Sequence, residues 1–576
     1  MSVEPVLDIR GLTVSYGSAT PVKGIDLQVA PGEKLGLVGE SGSGKSLTAL
    51  SVMRLNAGAR LGGEIRFQGR DLLALSEREM AKLRGGEIAM VYQDPMSSLN
   101  PVLTIGAQLI EAVRLHDRVS RQAAHARAVE LLADVGVPYP EERMAQYPHE
   151  FSGGMRQRVM IAMAMSSRPQ LLIADEPTTA LDVTTQSRII DLLDRMAAEY
   201  GTAVVLITHD LGIAAGFCER IQVLRHGRTV ETGAVDDVYA RPQDPYTQAL
   251  MGAVVDLTID VDRPIPTAVE VLERGTDAVG AESLPPREPG DVLLSVRDVT
   301  KRFRLGSGRV VTAVDGVSFD VRRGETFGLV GESGSGKSTV SKAVLALNPI
   351  DGGAVEFDGV DPHRIGGGEL RQLRRRMQMV FQDPFSALNR RQTVSQLIEA
   401  PLKAHGIGTK ASRSEKVREM LRLVGLGDEF AERFPREMSG GQCQRVSIAR
   451  SLALEPDFMV LDESVSALDV SIQAQVLNLL RALQRELGLT YLFISHDLAV
   501  IRYMSSTVAV MQQGRIVEMG PRDDLFADPQ HEYTRSLMAA IPVADPAQER
   551  ERRRLAAELD ERTGASTTTL LTKGRA

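Results

Sequence analysis

Residues 36–46 read GLVGESGSGKS, and the same eleven residues return at 328–338. In each copy an apolar run, KLGLV at 34–38 or TFGLV at 326–330, leads into a glycine-rich turn that ends in Gly-Lys-Ser. Both turns, Gly39–Ser46 and Gly331–Ser338, fit the pattern G-x-x-x-x-G-K-[ST] at every position. Glycines in such a turn let successive backbone N–H groups face inward on an anion, and the helix that follows adds its positive N-terminus. The segments LTALSVMRL and TVSKAVLAL supply that helix. A strand, an anion cradle and a helix in this order hold the phosphates of a nucleotide.

Outward from these turns, the whole chain is one module written twice. QDPMSSLN at 93–100 returns as QDPFSALN at 382–389, FSGGMRQRV at 151–159 as MSGGQCQRV at 438–446, and ADEPTTALDV at 174–183 as LDESVSALDV at 461–470. THDL at 208–211 returns as SHDL at 495–498, and DPYTQALMGAV at 244–254 as HEYTRSLMAAI at 531–541. The offset falls from 292 to 287 residues before the S-G-G segment and is constant from there on. Such ordered self-similarity marks a tandem duplication. It predicts a first domain at 1–254 with a mostly helical part at about 105–165, and a second at 291–543 with its helical part at about 394–452. Between them, 255–290 is acidic and carries five prolines, which reads as a surface connector. The last stretch, 544–576, reads as one charged helix and a Ser/Thr tail, solvated and frayed.

Composition sets the outer limits. The 576 residues amount to about four domains' worth of chain. A hydrophobic share of 43% and a charged share of 25% exclude wholesale disorder. A net charge of −8 offers no global attraction to nucleic acid or anionic lipid. Two cysteines cannot build a disulfide framework or a four-thiolate metal site. The opening MSVEPVLDIRGLTV has neither the basic nor the apolar region of a secretory signal. No apolar run reaches the 18 or so residues that a membrane span needs.

The chemistry follows from what surrounds the turns. Gly39, Ser41, Gly42 and Gly44, with Gly331, Ser333, Gly334 and Gly336, line the two cradles, and Leu47 and Thr339 complete the nucleotide-binding set. Lys45 and Lys337 neutralise the β- and γ-phosphates, while Ser46 and Ser338 ligate Mg²⁺. LLIA at 171–174 and FMVL at 458–461 are buried strands that end in paired acids. Asp175 and Asp462 are placed to hold the metal, and Glu176 and Glu463 to polarise the attacking water. Apolar TAVVLI at 202–207 and TYLFI at 490–494 read as further parallel strands, so each copy is α/β.

Ser152-Gly153-Gly154 and Ser439-Gly440-Gly441, just upstream of the paired acids, resemble the signature motif of ATP-binding cassette (ABC) proteins. The resemblance covers nearly all of both copies. It implies a P-loop NTPase fold with two tandem ABC nucleotide-binding domains, each a RecA-like α/β core with a β subdomain and a helical subdomain. It implies ATP and Mg²⁺ as ligands and ATP hydrolysis as the activity. It further implies Tyr16 and Phe303 as adenine platforms, Gln93 and Gln382 as catalytic and metal-binding glutamines, Asp182 and Asp469 in the D-loops, and His209 and His496 as catalytic γ-phosphate contacts. In this family the signature turn of one cassette serves the nucleotide held by the other, so both sites are expected within one chain. Lys45, Glu176 and His209 would work with Ser439 and Gly441; Lys337, Glu463 and His496 would work with Ser152 and Gly154. One departure is Met155, where the second copy has Gln442.

The segments after the glutamines, the Asp244-Pro-Tyr246-Thr and His531-Glu-Tyr533-Thr elements, and Y-P-H-E-F-S-G-G at 147–154 resemble the dipeptide, oligopeptide and nickel uptake subfamily. That resemblance implies an importer ATPase at the cytoplasmic face of the membrane, working with two permease subunits and an extracytoplasmic binding protein. Peptide is the favoured cargo, with nickel and glutathione behind it. Some members hold an iron–sulfur cluster on cysteines after the tyrosine element; Cys218 and Cys443 both precede it, so no cluster is expected. The competing reading is a soluble twin-cassette ATPase acting on ribosomes or nucleic acid. It fits poorly, because the connector is acidic and broken by prolines where a translation factor carries a long charged helix.

Overall fold

The apolar runs that flank the phosphate turns become the middle strands of two sheets. The computed structural model describes residues 4–94, 98–116, 118–179, 181–267, 290–304, 310–466 and 468–563. Parts of three segments read above, 95–97, 268–289 and 564–576, lie outside them. The chain forms two compact units, Met1–Val254 with Pro542–Ala576, and Val255–Ile541.

In the first unit six strands lie in the order Arg228–Ala234, Arg220–Arg225, Lys34–Val38, Ala203–Ile207, Leu171–Asp175, Ile88–Val91. All neighbours are parallel except the outermost Arg228–Ala234. Ile88–Val91, Leu171–Asp175 and Ala203–Ile207 are buried at every residue. A parallel sheet covered on both faces wants continuous apolar strands, and these sequences provide them. The second unit repeats the order with Arg515–Pro521, Thr507–Gln512, Thr326–Val330, Thr490–Ser495, Phe458–Asp462 and Met377–Val380. The phosphate turns leave the carboxyl ends of Lys34–Val38 and Thr326–Val330, the end of a parallel sheet where α/β proteins bind ligands.

An antiparallel sheet accompanies each core. Leu7–Tyr16 pairs with Ala19–Val29 and Arg60–Phe67, and Val292–Arg304 with Val310–Arg322 and Gly352–Phe357. Val14, Ile25 and Phe67 share one apolar cluster with Leu35 and Leu37 of the parallel sheet. The predicted helical parts contain Ile105–His116, Arg121–Asp134 and Gly153–Met165 in the first unit, and Val394–Ala404, Lys410–Leu423 and Gly440–Leu452 in the second. A second cluster joins Leu109, Leu131 and Ile161 of these helices to Leu172 and Val204 of the sheet.

The described part of the connector is held on the second unit, and the charged helix of the tail is held more firmly than a solvated one. Within the second unit, Asn478 accepts the Ile265 N–H at 3.0 Å and donates to its carbonyl at 2.8 Å. Arg502 donates to the Ile259 carbonyl at 2.8 Å, and the Tyr503 hydroxyl to that of Arg263 at 3.1 Å. Within the first unit, the charged helix Pro546–Thr563 is anchored by Arg553. Its guanidinium bonds Asp191 and Asp194, each at 2.9 Å, and the Gly216 carbonyl at 2.7 Å. Glu549 is only 2% exposed; it accepts the Val543 N–H at 2.9 Å and pairs with Arg552. A charge run reads as solvated because it lacks an apolar period, but from Glu549 to Arg554 each charge here has an opposite partner. The offset of 287 residues maps Asp191, Asp194 and Gly216 onto Asn478, Arg481 and Tyr503, so both extensions dock on equivalent ground.

Candidate nucleotide sites

Each phosphate turn is shaped by glycines that no other residue could replace cheaply. Gly39 has φ +143°, and a Cβ there would lie 2.2 Å from the Leu224 carbonyl; at Gly331 the clash is 2.1 Å with the Met511 carbonyl. Gly42 and Gly334 have φ +80° and +83° with open space within 4 Å of a built Cβ. The helices Lys45–Val52 and Lys337–Val344 start directly at the turn's end, with Gly44 and Gly336 as their left-handed N-caps. Ser41 and Ser333 stand in the turns, Leu47 and Thr339 in the first turn of each helix.

Lys45 and Lys337 are buried and folded back on their own loops. Each ammonium donates to the first loop carbonyl, Gly39 or Gly331, at 2.6 Å, and to Glu40 or Glu332 at 2.9 Å. Ser46 donates to Asp175 at 3.0 Å and Ser338 to Asp462 at 3.2 Å, which joins each turn to the neighbouring strand end. Burial pushes Asp175 up to about 6, against the opposing pull of the Ser46 hydrogen bond and Lys45; Asp462 is raised for the same reason. A carboxylate that is costly to ionise, beside a hydroxyl, suits a divalent cation, whose charge restores the ionised form. The hydroxyls of Ser43 and Ser335, buried in the turns, have no hydrogen-bond partner among the described residues. The glycine-shaped turn, the lysine, the hydroxyl and the carboxylate together fit a Mg²⁺-nucleotide.

Glu176 and Glu463 adopt φ +47° and +48°, a strained region for a side-chain-bearing residue. The turn points each carboxylate away from its strand into a ring of donors. Gln93 and Gln382 each donate to it at 2.6 Å, and Thr179 adds a bond at 2.9 Å in the first unit. His209 Nδ1 lies 3.4 Å from Glu176, and His496 Nδ1 3.5 Å from Glu463. Burial opposes ionisation of Glu176, but the histidine, the Thr179 bond and Lys45 outweigh it and hold the carboxyl at about 2. Glu463 is lowered likewise, by His496 and Lys337 against its burial. A carboxylate that stays ionised and is aimed by a glutamine and a histidine can orient a water and accept its hydrogen bond.

The other predicted residues sit at definite places in the fold. Ser152 and Ser439 cap the helices Gly153–Met165 and Gly440–Leu452, accepting the N–H of the third residue in. Gln442 returns a bond to the Ser439 N–H at 3.0 Å and completes a capping box; Met155 cannot. Asp182 and Asp469 cap the helices Val183–Tyr200 and Val470–Leu487. Tyr16 ends the strand Leu7–Tyr16 half-buried, and Phe303 is exposed with the Lys301 ammonium 5.5 Å from its ring centre. Cys218 and Cys443 are both buried, the first ending helix Leu211–Phe217, the second inside Gly440–Leu452 with its thiol toward the Pro435 carbonyl. Sequence reasoning missed Thr179, whose partner position in the second unit is Ser466, and it missed any role for Tyr246 and Tyr533. The repeat of D-P-Y-T as H-E-Y-T was the available signal.

Two anion cradles, each beside a strand-end acid pair and an S-G-G helix start, with a glutamine and a histidine on the second acid, define an ABC ATPase. The profile of the ABC transporter family matches residues 22–179 and 314–466, and that of "Oligopeptide/dipeptide transporter, C-terminal region" matches 230–277 and 517–567. The glutathione import ATP-binding protein GsiA of Salmonella choleraesuis is 46% identical over 568 residues, covering 95% of this chain and 91% of its own. That of Pectobacterium atrosepticum is 47% identical, covering 94% and 90%. Among solved structures, the dimeric ATP-binding cassette MJ0796 bound to ADP and Pi is 29% identical over 40% of this chain and 99% of its own, with a TM-score of 0.37. The chain belongs to the ABC transporter ATP-binding proteins of the oligopeptide/dipeptide uptake family.

Proposed function

We propose that this chain is the ATPase subunit of an importer for small peptides, glutathione among them, and that both of its cassettes hydrolyse ATP. The carrying observation is that neither copy has lost a member of the set Lys, Asp, Glu, Gln and His, and that Glu176 and Glu463 are held alike by Gln93 with His209 and by Gln382 with His496. The near relatives named for glutathione import support the cargo class.

The chain's own residues divide the work. The glycine-rich turns bind and align the phosphates through backbone N–H groups, and Lys45 or Lys337, aimed by its first loop carbonyl, reaches the β- and γ-phosphates. Ser46 with Asp175, and Ser338 with Asp462, would hold Mg²⁺, which neutralises charge as it develops on the phosphates; Gln93 and Gln382 stand beside them. Glu176 or Glu463 orients the attacking water, and His209 or His496 contacts the γ-phosphate. By the family resemblance, Ser152, Gly153 and Gly154 serve the nucleotide of the second cassette, and Ser439, Gly440 and Gly441 that of the first. Tyr16 and Phe303 are the adenine platforms. Among the described residues no helix is long and apolar enough to cross a membrane, so the translocation path belongs to separate permease subunits in this reading, with the chain docked on the cytoplasmic face and an external binding protein delivering cargo.

Glu176→Gln and Glu463→Gln, each assembled with the permease, are expected to lower ATP turnover by about a hundredfold or more if both sites are hydrolytic. Unchanged turnover in one of them shows that site to be silent. Affinity purification from membranes should bring down two permease subunits, and recovery of ribosomes instead overturns the importer reading.

A further inference from the structure

The chemistry above uses neither Tyr246 nor Tyr533, yet both are built into place by elements that differ in sequence. In the first unit Glu231 accepts the N–H groups of Gln243 and Asp244 at 2.8 and 3.1 Å, and Asp244 accepts that of Tyr246 at 2.8 Å, starting helix Pro245–Gly252. In the second, Glu518 accepts those of Gln530 and His531 at 2.7 and 3.1 Å, and His531 Nδ1 accepts that of Tyr533 at 3.1 Å, starting helix Glu532–Ala539. One cap is a carboxylate and the other an imidazole, but the tyrosine emerges at the same point. Tyr246 is 1% exposed, with the Arg225 guanidinium 4.8 Å from its ring centre. Its hydroxyl accepts the N–H of Glu40 at 3.1 Å, and the Tyr533 hydroxyl accepts the N–H of Glu332, also at 3.1 Å.

The Glu40 N–H and the Gly39 carbonyl are two ends of one peptide plane. That carbonyl is the one that receives the Lys45 ammonium at 2.6 Å, and Gly331 receives Lys337 at the same distance. A peptide plane is rigid, so holding the N–H fixes the direction of the carbonyl. The plane follows a glycine at φ +143° or +156°, where the backbone has its widest freedom to rotate, and a bond from outside the loop therefore has something to restrain. We propose that Tyr246 and Tyr533 are positioning residues of the two nucleotide sites: each fixes, through one peptide plane, the carbonyl that aims the phosphate-binding lysine. The C-terminal tyrosine element is thereby tied to the phosphate loop of its own cassette. This rests on the nucleotide reading of the two loops.

Tyr246→Phe and Tyr533→Phe keep the ring and remove only the hydroxyl. In the full-length chain assembled with its permease, the double variant is expected to raise the KM for ATP about threefold to tenfold, the worth of one hydrogen bond, while kcat stays within about twofold. Each single variant should give a smaller rise, with melting temperatures close to that of the parent. An unchanged KM in the double variant overturns the proposal. So does a fall in kcat at unchanged KM, the pattern of lost active protein. Absence of ATP turnover in the parent chain strikes instead at the reading of the sites themselves.

Discussion

A methyl group on Gly441 would lie 2.2 Å from Cγ2 of Ile472, and one on Gly154 2.6 Å from Cγ2 of Thr185. Both neighbours are β-branched and stiff at χ1, so neither can swing away. The first glycine of each turn has room, its nearest atoms 3.8 Å away at Gly153 and 3.7 Å at Gly440. The two glycines of S-G-G thus stand for different reasons, the second because a neighbouring helix start crowds it. Gly154→Ala and Gly441→Ala are expected to destabilise their units by about 1–3 kcal/mol, with Gly441 the worse, while Gly153→Ala stays nearly neutral for folding. Calorimetry decides the matter, and equal tolerance at Gly153 and Gly154 would sink the packing argument. The motif was legible in the sequence, but this reason was not, because Thr185 and Ile472 lie some thirty residues downstream and nothing local announces the contact. The same holds for Glu176: the apolar strand before it marks it as a candidate for orienting the water, whereas its positive φ and its bond to Thr179 emerge only from the fold.

At the scale of elements, strong patterns transferred well. The apolar runs LLIA and FMVL before the paired acids are the strands Leu171–Asp175 and Phe458–Asp462. Segments without a period gave less away. The residues 255–267 carry no alternation, and what seats them is Asn478, whose single amide bonds both polar groups of Ile265 while its oxygen also accepts the Tyr503 hydroxyl at 2.9 Å. Asn478→Ala leaves the Ile265 N–H and carbonyl short of a partner, at a cost of about 1–3 kcal/mol, while the Tyr503 hydroxyl keeps the Arg263 carbonyl. Limited proteolysis is expected to cut near 259–267 much faster in that variant. Cleavage at the parental rate would mean that Arg502 and Tyr503 suffice to hold the segment. The capping box of Gly440–Leu452 offers a gentler case: Gln442→Met removes the bond to the Ser439 N–H, and the second unit should lose up to about 1 kcal/mol.

For the molecule as a whole, the partition of the chain matters more than any single contact. Residues 542–563 belong with the first unit although 287 residues of the second unit separate them from Val254. Arg553 is the main tie, 17% exposed between Asp191 and Asp194. The two acids keep more contact with water, so Arg553→Ala is expected to cost the first unit about 1–2 kcal/mol, less than a fully buried pair would. Differential scanning calorimetry should show the fall in one transition, with the other unmoved; a drop in the second unit's transition alone contradicts the assignment. The arrangement also orders events during synthesis. The first unit leaves the ribosome with the ground around Asp191, Asp194 and Gly216 still bare, and at about 5–20 residues per second its last helix arrives roughly 15–60 s later. A nascent first cassette therefore waits, incompletely covered, for a helix encoded beyond the whole of the second unit. A frameshift or stop just before that helix would strike the half of the protein that was made first.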